Sequence, residues 1–558
     1  MSVFRRTLEA RQPAEGGRRW VFVPYDQLSA DIGPLSREDP KRLGILLVEN
    51  RWQLARRPYH RQKLAYLLAN LRHFALEQAA RGAAVRYVEA DAPYRKLVKP
   101  LLSELGPMRA MVPAERELRL DLEPLVRSGA LELIPHEGWL TTQEQFLAAR
   151  RKGAPWRMNV FYKHVRRETR VMMRNGRPEG GKFSFDPENR EPWRGAPKPP
   201  QPPRFPVDAI KEEVGQLIES EYAEHPGRLD VEALPATRED AEKLWRWAKR
   251  GCLPHFGPFE DAMSSHSSGL FHTRLSALIN LHRLLPARVV AETARMSIGL
   301  PSKEGFVRQV LGWREFIRHV HLASDGLRRL PEGDPPVAKR AGDGGYASWA
   351  GKAWPTRRSP RVLDGGAMPG VLGDDMALPP AYWGRRSGLA CLDRVVSDVW
   401  GEGWSHHITR LVVLSGIATM LDVSPRELTD WFWAAYIDAY DWVVEPNVLG
   451  MGRFAVGDYM STKPYVTGAA YINRMSDFCE GCVFSPRRDC PLTALYWAFL
   501  ARHERVLKDN ARMKLAMASM RRRSAAQRRR DAGVFRMVGD LLTAGHIVSP
   551  DSLHAATT

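Results

Sequence analysis

The sequence predicts a parallel α/β domain at the amino end joined to a larger all-α domain, and three observations carry that reading. Apolar strand-like runs alternate with helical patterns over residues 18–136, the alternation of a parallel sheet crossed by helices. A basic stretch follows in which seven of the fifteen residues 192–206 are proline, a composition that interrupts regular structure and joins domains. Beyond it, long segments run without strand alternation. With 558 residues the chain exceeds what one hydrophobic core organises, so two units suit its length.

In chain order, residues 1–17 read as an extension and 18–145 as the α/β domain, a Rossmann-like parallel sheet. Its strands are expected at 20–25 (WVFVPY), 43–50 (LGILLVEN), 83–90 (AAVRYVEA), 109–114 (RAMVPA) and 131–136 (LELIPH), with helices at 60–82 and 94–106. Ligands of such sheets sit beyond the carboxyl ends of the strands, here near Asp26 and Gln27 after the first and Glu49 after the second. The G-x-G-x-x-G fingerprint is absent from these turns, so a small molecule rather than NAD is expected there; helix caps or solvated loop are the plainer reading of the same residues. Residues 146–236 read as a basic, proline-rich linker. The all-α domain spans 237–545, with helical segments at 239–250, 276–285, 305–323, 406–421 and 425–440. A Gly/Pro-rich stretch at 330–380 interrupts it, long enough to be a functional insertion, and 546–558 form a tail.

Subtracting 64 acidic from 83 basic residues leaves +19, with a pI near 9.8, which favours a polyanionic partner. The longest plainly apolar run, 411–421, is broken by Ser415, Gly416 and Thr419 and falls short of the ~20 residues that span a membrane. Arg5 and Arg6 are followed by polar residues rather than an apolar segment, so no secretory signal is expected and the cytoplasm is the expected location.

Two groups of residues carry chemistry. Cys479 and Cys482 are spaced C-x-x-C, Cys490 lies eight positions on, and Cys391 enters from a separate segment; four thiolates suit a structural zinc or an iron–sulfur cluster, and spacing does not choose between them. Cys252 stands apart as a core or surface thiol. Seventeen tryptophans are present, and Trp431, Phe432, Trp433, Tyr436, Tyr440 and Trp442 crowd one stretch. Such a stripe is first of all core packing. Around it, however, lie His406, His407 and Arg410 on one side and Asn447 on the other, a setting for a redox or light-absorbing cofactor.

The segments Val307-Arg308-Gln309-Val310-Leu311-Gly312-Trp313-Arg314-Glu315-Phe316, His406-His407 with Arg410, and 446–451 (PNVLGM) resemble the photolyase/cryptochrome flavoproteins. More narrowly, 180–190 (GGKFSFDPENR), Thr462-Lys463-Pro464-Tyr465, 471–479 (YINRMSDFC) and the four cysteines resemble the bacterial iron–sulfur branch, whose characterised repair members are (6-4) photolyases. The resemblance spans about residues 18–517. It implies FAD in the helical domain, a 4Fe-4S cluster on Cys391, Cys479, Cys482 and Cys490, and a 6,7-dimethyl-8-ribityllumazine antenna in the α/β domain, near Gln27 and Glu49. The gap between the last two cysteines is shorter than the branch pattern.

By the same resemblance, Thr273, Leu275 and Ser276 belong to the turn that holds the flavin pyrophosphate; Gln309, Trp313 and Glu315 belong to the flavin site. Arg410 with Asp438 or Asp441 forms the ion pair beside the isoalloxazine, and Asn447 lies near flavin N5. His407, beside His406, takes the proton-donor role, for which an imidazole titrating near neutrality is suited. Leu411 stands where eukaryotic (6-4) enzymes carry a second histidine, as in the bacterial branch. Photoreduction maps onto Trp431 and Trp383, with Phe432 replacing the expected tyrosine and unable to serve as a radical station. Trp313, Tyr465 and Tyr471 are the expected walls of a lesion pocket, and the arginine runs 521–523 and 528–530 are candidates for phosphate contacts. The implied activity is light-driven repair of (6-4) photoproducts in UV-damaged DNA, by a monomer. A cryptochrome-type photoreceptor without repair, and a flavin-free iron–sulfur module that binds nucleic acid, are the competing readings.

Overall fold

The computed structural model describes residues 2–150, 155–354 and 366–554. The amino-terminal unit is a five-stranded parallel sheet of β1 (Arg19–Phe22), β2 (Leu43–Asn50), β3 (Ala84–Ala90), β4 (Met108–Met111) and β5 (Leu131–Ile134), in the order β3-β2-β1-β4-β5. Every residue of β2 is buried, which is why its sequence is a near-continuous apolar run instead of an alternating one. Gly44 stands opposite Trp20 in the β1–β2 register. A Cβ there would fall 2.4 Å from the indole, so the glycine makes room for the ring. The strand order reverses between β1 and β4, and the crevice outside their carboxyl ends faces the helical domain: Leu28 N donates to Leu281 O at 2.9 Å, and Tyr25 stacks on Tyr440.

The outer layer recruits segments read as extension and linker. Helix Ala209–Glu221, capped by Asp208, buries Ile210, Val214 and Ile218 at fourfold spacing against helix Arg61–Ala80. Helix Val3–Arg11 lies on both with Phe4 and Leu8 buried, and its Val3 N donates to Glu213 at 2.5 Å. A further helix, Met158–Thr169, lies in the same stretch. The 146–236 region is therefore partly structured; its apolar periodicity is overshadowed in sequence by the neighbouring prolines. Residues 1 and 151–154 lie outside the described residues.

Within 330–380 the described part carries one five-residue helix, Tyr346–Ala350; residues 355–365 lie outside the described residues. The stretch is packed down. Trp354 Nε1 donates to Ala55 O at 3.0 Å, and its ring meets Tyr346 and His225 edge-on. The tail carries the short helix Pro550–His554, and 555–558 lie outside the described residues. No described helix is long and apolar enough to cross a membrane.

Candidate active site and metal centre

Three of the expected flavin-site segments depart from regular α-helix in the same way. Arg308–Arg314, Thr409–Ser415 and Glu445–Gly452 are π-helical turns, which widen a helix locally, cost regularity and recur at functional sites. They carry Gln309 and Trp313, Arg410, and Asn447 respectively. Arg410 donates from both terminal nitrogens to Asp438, at 3.1 and 3.0 Å, and its guanidinium lies over Tyr436. Asp441 does not share that pair; it accepts from the backbone N–H of Glu117 and of Trp442. Asn447 donates to Val443 O, leaving its Oδ1 for another donor. The 272–276 turn has Thr273 and Leu275 buried and Arg274 at φ +56°.

The fit of this region to a bound cofactor rests on unanswered polar atoms. Nε2 of His272 and Nδ1 of His406 are buried without a protein partner. Buried polar atoms are rarely left so without a ligand or water, and a nucleotide cofactor carries the donors and acceptors they require. By contrast, Glu315 is fully buried and occupied: it accepts from Leu140 N, Thr141 N and Thr141 Oγ1 at 2.8–3.0 Å, and from Arg314. Its carboxylate anchors the end of the α/β domain. Trp313 packs edge-on against Phe316, and Gln309 donates to Glu260.

Beside the turn the rings of His272 and His406 stack at 4.4 Å, and His407 stands edge-on to His272 at 5.3 Å. His407 is 39% exposed. Even so, surrounding protein, with Arg308 and Arg410, lowers its pKa to about 4. Its Nε2 is 3.9 Å from Asp261, which also accepts from the Tyr471 hydroxyl at 3.2 Å and lies 3.8 Å from Arg190. Burial, reinforced by Glu260, raises Asp261 to about 6. Tyr465 is perturbed by burial and then by Asp186, and Arg308 bonds both Asp186 and Glu260. His407, Tyr465 and Tyr471 therefore share one charged pocket. Asp261 and Glu260 were not named from sequence, and Arg308 and Arg190 were quoted only as members of motifs, without a role. The signal available was that Asp186 and Arg190 sit inside the 180–190 motif.

The four cysteines face one another across an apolar pocket walled by Leu389, Ile472, Phe478, Phe484 and Leu492. Cys391 opens helix Ala390–Glu402, Cys490 caps helix Pro491–Arg502, and Cys479 and Cys482 flank the turn at Gly481, φ +74°. The positive ends of two helices thus meet the thiols, which favours thiolates. Against this, burial, with neighbouring thiols, raises Cys479 to about 11 and Cys490 to about 12. Among the described residues two donor trios converge within 4.8 Å, His272/His406/His407 and Asp374/Asp422/His503, and neither contains a cysteine. Four thiolates suit a structural zinc or an iron–sulfur cluster. Cys252 is core, its Sγ directed at His272 O.

Trp431 and Trp383 are both buried. Gln27 donates to the carbonyls of Met111 and Val112, and Glu49 is held by Arg72 and Tyr87, so these two side chains brace strand ends. The unanswered polar atoms of that crevice belong instead to Asp26, His136 and His282. Of the arginine runs, Arg521 pairs with Glu504 and Arg523 with Asp531.

Residues 21–233 match the family of deoxyribodipyrimidine photo-lyase-related proteins. A curated (6-4) photolyase of Agrobacterium fabrum is 32% identical over 524 residues, covering 90% of this chain and 96% of that protein. Two solved structures share the fold. A bacterial class III photolyase from Agrobacterium tumefaciens matches with a TM-score of 0.53 at 14% identity, covering 95% of this chain and 99% of that one. An archaeal photolyase from Sulfolobus tokodaii with two FAD molecules matches at 0.52 and 14%, covering 86% and 93%. Identity of that order, sustained along nearly the full length of both chains and joined to a shared two-domain fold, establishes that this chain belongs to the photolyase family.

Proposed function

We propose that this protein repairs (6-4) photoproducts in UV-damaged DNA by light-driven electron donation from reduced FAD. The observation that carries the reading is the pocket in which His407, Asp261 and Tyr471 meet beside the Arg410–Asp438 pair; the kinship with a (6-4) photolyase sets its substrate class. Thr273, Leu275, Ser276, Arg410, Asp438 and Asn447 would hold the flavin, whose chemistry when bound is to deliver one electron to the lesion and take it back.

The rest falls to the protein. Tyr465 and Tyr471 offer aromatic faces to a dinucleotide flipped from the duplex, an extrusion that damage makes easier. His407 is held neutral at pH 7 by the protein around it and by the nearby Arg308 and Arg410. An entering phosphodiester favours its charged form, and the neighbouring Asp261, raised to about 6, supplies the proton in the molecules that still hold it, a fraction that grows as pH falls. His407 then presents that proton to the oxygen that must return between the bases. Arg190, Lys463, Arg474 and Arg512 surround the tyrosines and are suited to phosphate, with exposed Arg522, Arg529 and Arg530 further out.

The convergence of Cys391, Cys479, Cys482 and Cys490 on one apolar pocket, with the branch resemblance, supports a 4Fe-4S cluster on these four thiols. A ribityllumazine antenna belongs to the same reading, with Asp26, His136 and His282 better placed to meet it than Gln27 and Glu49. A monomer acting on DNA in the cytoplasm completes it.

The test is repair of an oligonucleotide bearing one (6-4) photoproduct under blue light and reductant. Light-dependent repair that is lost in His407→Ala is expected. Bound, photoreducible flavin without repair of this lesion or a cyclobutane dimer would overturn the reading in favour of a photoreceptor.

A further inference from the structure

A cavity of about 300 Å³ lies among the last helices of the chain and shares no lining residue with the cysteine pocket. Its size is at the lower end of the range for small-ligand pockets. Trp497 and Ala501 of helix Pro491–Arg502, Met520 of helix Lys514–Arg521, and Ala532 and Phe535 of helix Ala525–Thr543 form its apolar walls. The small side chains at 501 and 532 leave the space open. Arg502, Arg523, Arg528 and Arg536 line the same space, with Asp531 as the one acid beside them.

Two of these arginines are fixed as flat platforms. Arg502 donates from Nε and Nη2 to the two oxygens of Asp422, at 2.8 and 2.9 Å, and its Cζ lies 3.4 Å from the centre of the Phe535 ring. Arg523 is held by Asp531 in the same bidentate way, at 2.8 and 2.9 Å, with its Cζ 4.9 Å from the centre of the Trp497 ring. Guanidinium planes fixed against rings are surfaces on which a nucleobase stacks. Nη1 of Arg502 is buried and has no protein partner among the described residues; an acceptor on a ligand would answer it. The other two arginines supply charge. Arg528 donates to the carbonyls of Arg523 and Arg521, which orient it without neutralising it. Arg536 is exposed, and its guanidinium has no partner among the described residues. Two uncompensated cations beside a stacking surface match a phosphate monoester, which carries about −1.5 to −2 at neutral pH, better than the single charge of a phosphodiester.

We propose that this cavity is a nucleotide site. The base lies against the Arg502–Phe535 and Arg523–Trp497 stacks with an acceptor on Arg502 Nη1, and a terminal phosphate monoester sits between Arg528 and Arg536. Inorganic phosphate would meet the cations and leave the rings and the small-residue walls unused; a nucleoside would do the reverse. The shared chemistry, a base joined to a phosphate monoester, is offered by a free mononucleotide and by the phosphorylated end of a DNA strand. The site is separate from the lesion pocket, and its occupancy does not depend on bound flavin.

The experiment is equilibrium dialysis of the purified full-length protein against the fluorescent nucleotide ethenoadenosine 5′-monophosphate, its nucleoside, and inorganic phosphate. The wild type is compared with Ala532→Trp, which fills the cavity, and with Arg536→Glu, which reverses one exposed charge and leaves the core untouched; circular dichroism checks that each is folded. Expected are binding of the monophosphate, binding of the nucleoside and of phosphate weaker by about tenfold or more, a loss of about tenfold or more in Arg536→Glu, and no binding in Ala532→Trp. Should Ala532→Trp fail to fold, Arg536→Glu decides. Absence of nucleotide binding in the wild type overturns the proposal, and so does binding unchanged in the folded variants, which would place the nucleotide elsewhere. Competition by single-stranded oligonucleotides then identifies the source. Displacement by a 5′-phosphorylated strand and not by its 5′-hydroxyl counterpart supports the site as a reader of strand ends, and displacement by neither supports it as a site for free nucleotide. Equal displacement by both overturns the role given to the terminal phosphate.

Discussion

Nε2 of His407 lies 3.9 Å from Oδ1 of Asp261, while the other oxygen of that carboxyl accepts from Tyr471. The two groups are perturbed in opposite senses, the imidazole towards losing its proton and the carboxyl towards keeping one. Between about pH 4 and pH 6 the stable arrangement is therefore neutral histidine beside neutral acid. In the function proposed above, a single proton held by either partner is what the site offers a bound lesion.

Single-turnover repair should fall as pH rises through about 6, when Asp261 loses its proton. Asp261→Asn should flatten that limb, and His407→Ala should slow repair by about 10²–10⁴-fold, the usual contribution of a positioned acid. A wild-type profile that is level from pH 5 to pH 8, measured at constant ionic strength, would remove Asp261 from the proton path.

Asp438→Asn leaves Arg410 without its bidentate partner. The expected result is a marked loss of bound flavin at nearly unchanged size, with about 1–3 kcal/mol lower stability from the impaired buried bonding. The ratio of flavin to protein absorbance and the urea midpoint check the two parts separately.

Cys391→Ser should strip iron and sulfide from the protein and lower its melting temperature, because the amino ends of helices Ala390–Glu402 and Pro491–Arg502 lose their common tether. Cys252→Ala, in the core and outside the thiol pocket, should keep its metal. Elemental analysis that finds zinc, and no iron, would contradict the cluster.

Arg512→Ala should shift the dependence of DNA affinity on salt, reducing the log–log slope by about 0.9 for one lost phosphate contact. Arg523→Ala should leave the slope intact, since Arg523 is engaged with Asp531, and act instead on stability. Titrations at several salt concentrations separate the two.

The sheet was readable because β2 is buried along its whole length and so appears as a near-continuous apolar run, and the other four strands start within one residue of the apolar stretches marked. Helix Ala209–Glu221 was missed because three apolar residues four apart carry little weight beside a proline-rich flank. At the site, residue types were legible and pairings were not. Arg410 could be matched to Asp438 or Asp441 from sequence, and only the fold turns Asp441 away to the backbone of the α/β domain. Asp261 escaped notice for a related reason: its surroundings come from neighbours distant in sequence, His407 and Tyr471.

The carboxylate of Glu315 bears on how such a chain can be divided. Three of its four hydrogen bonds come from Leu140 and Thr141, across the apparent boundary between the two halves. A helical half produced alone would leave that carboxylate with Arg314 as its one remaining partner, and an α/β half produced alone would present bare donors at its cut end. The halves are therefore unsuited to separate inheritance: this clamp favours their expression, unfolding and loss as one piece.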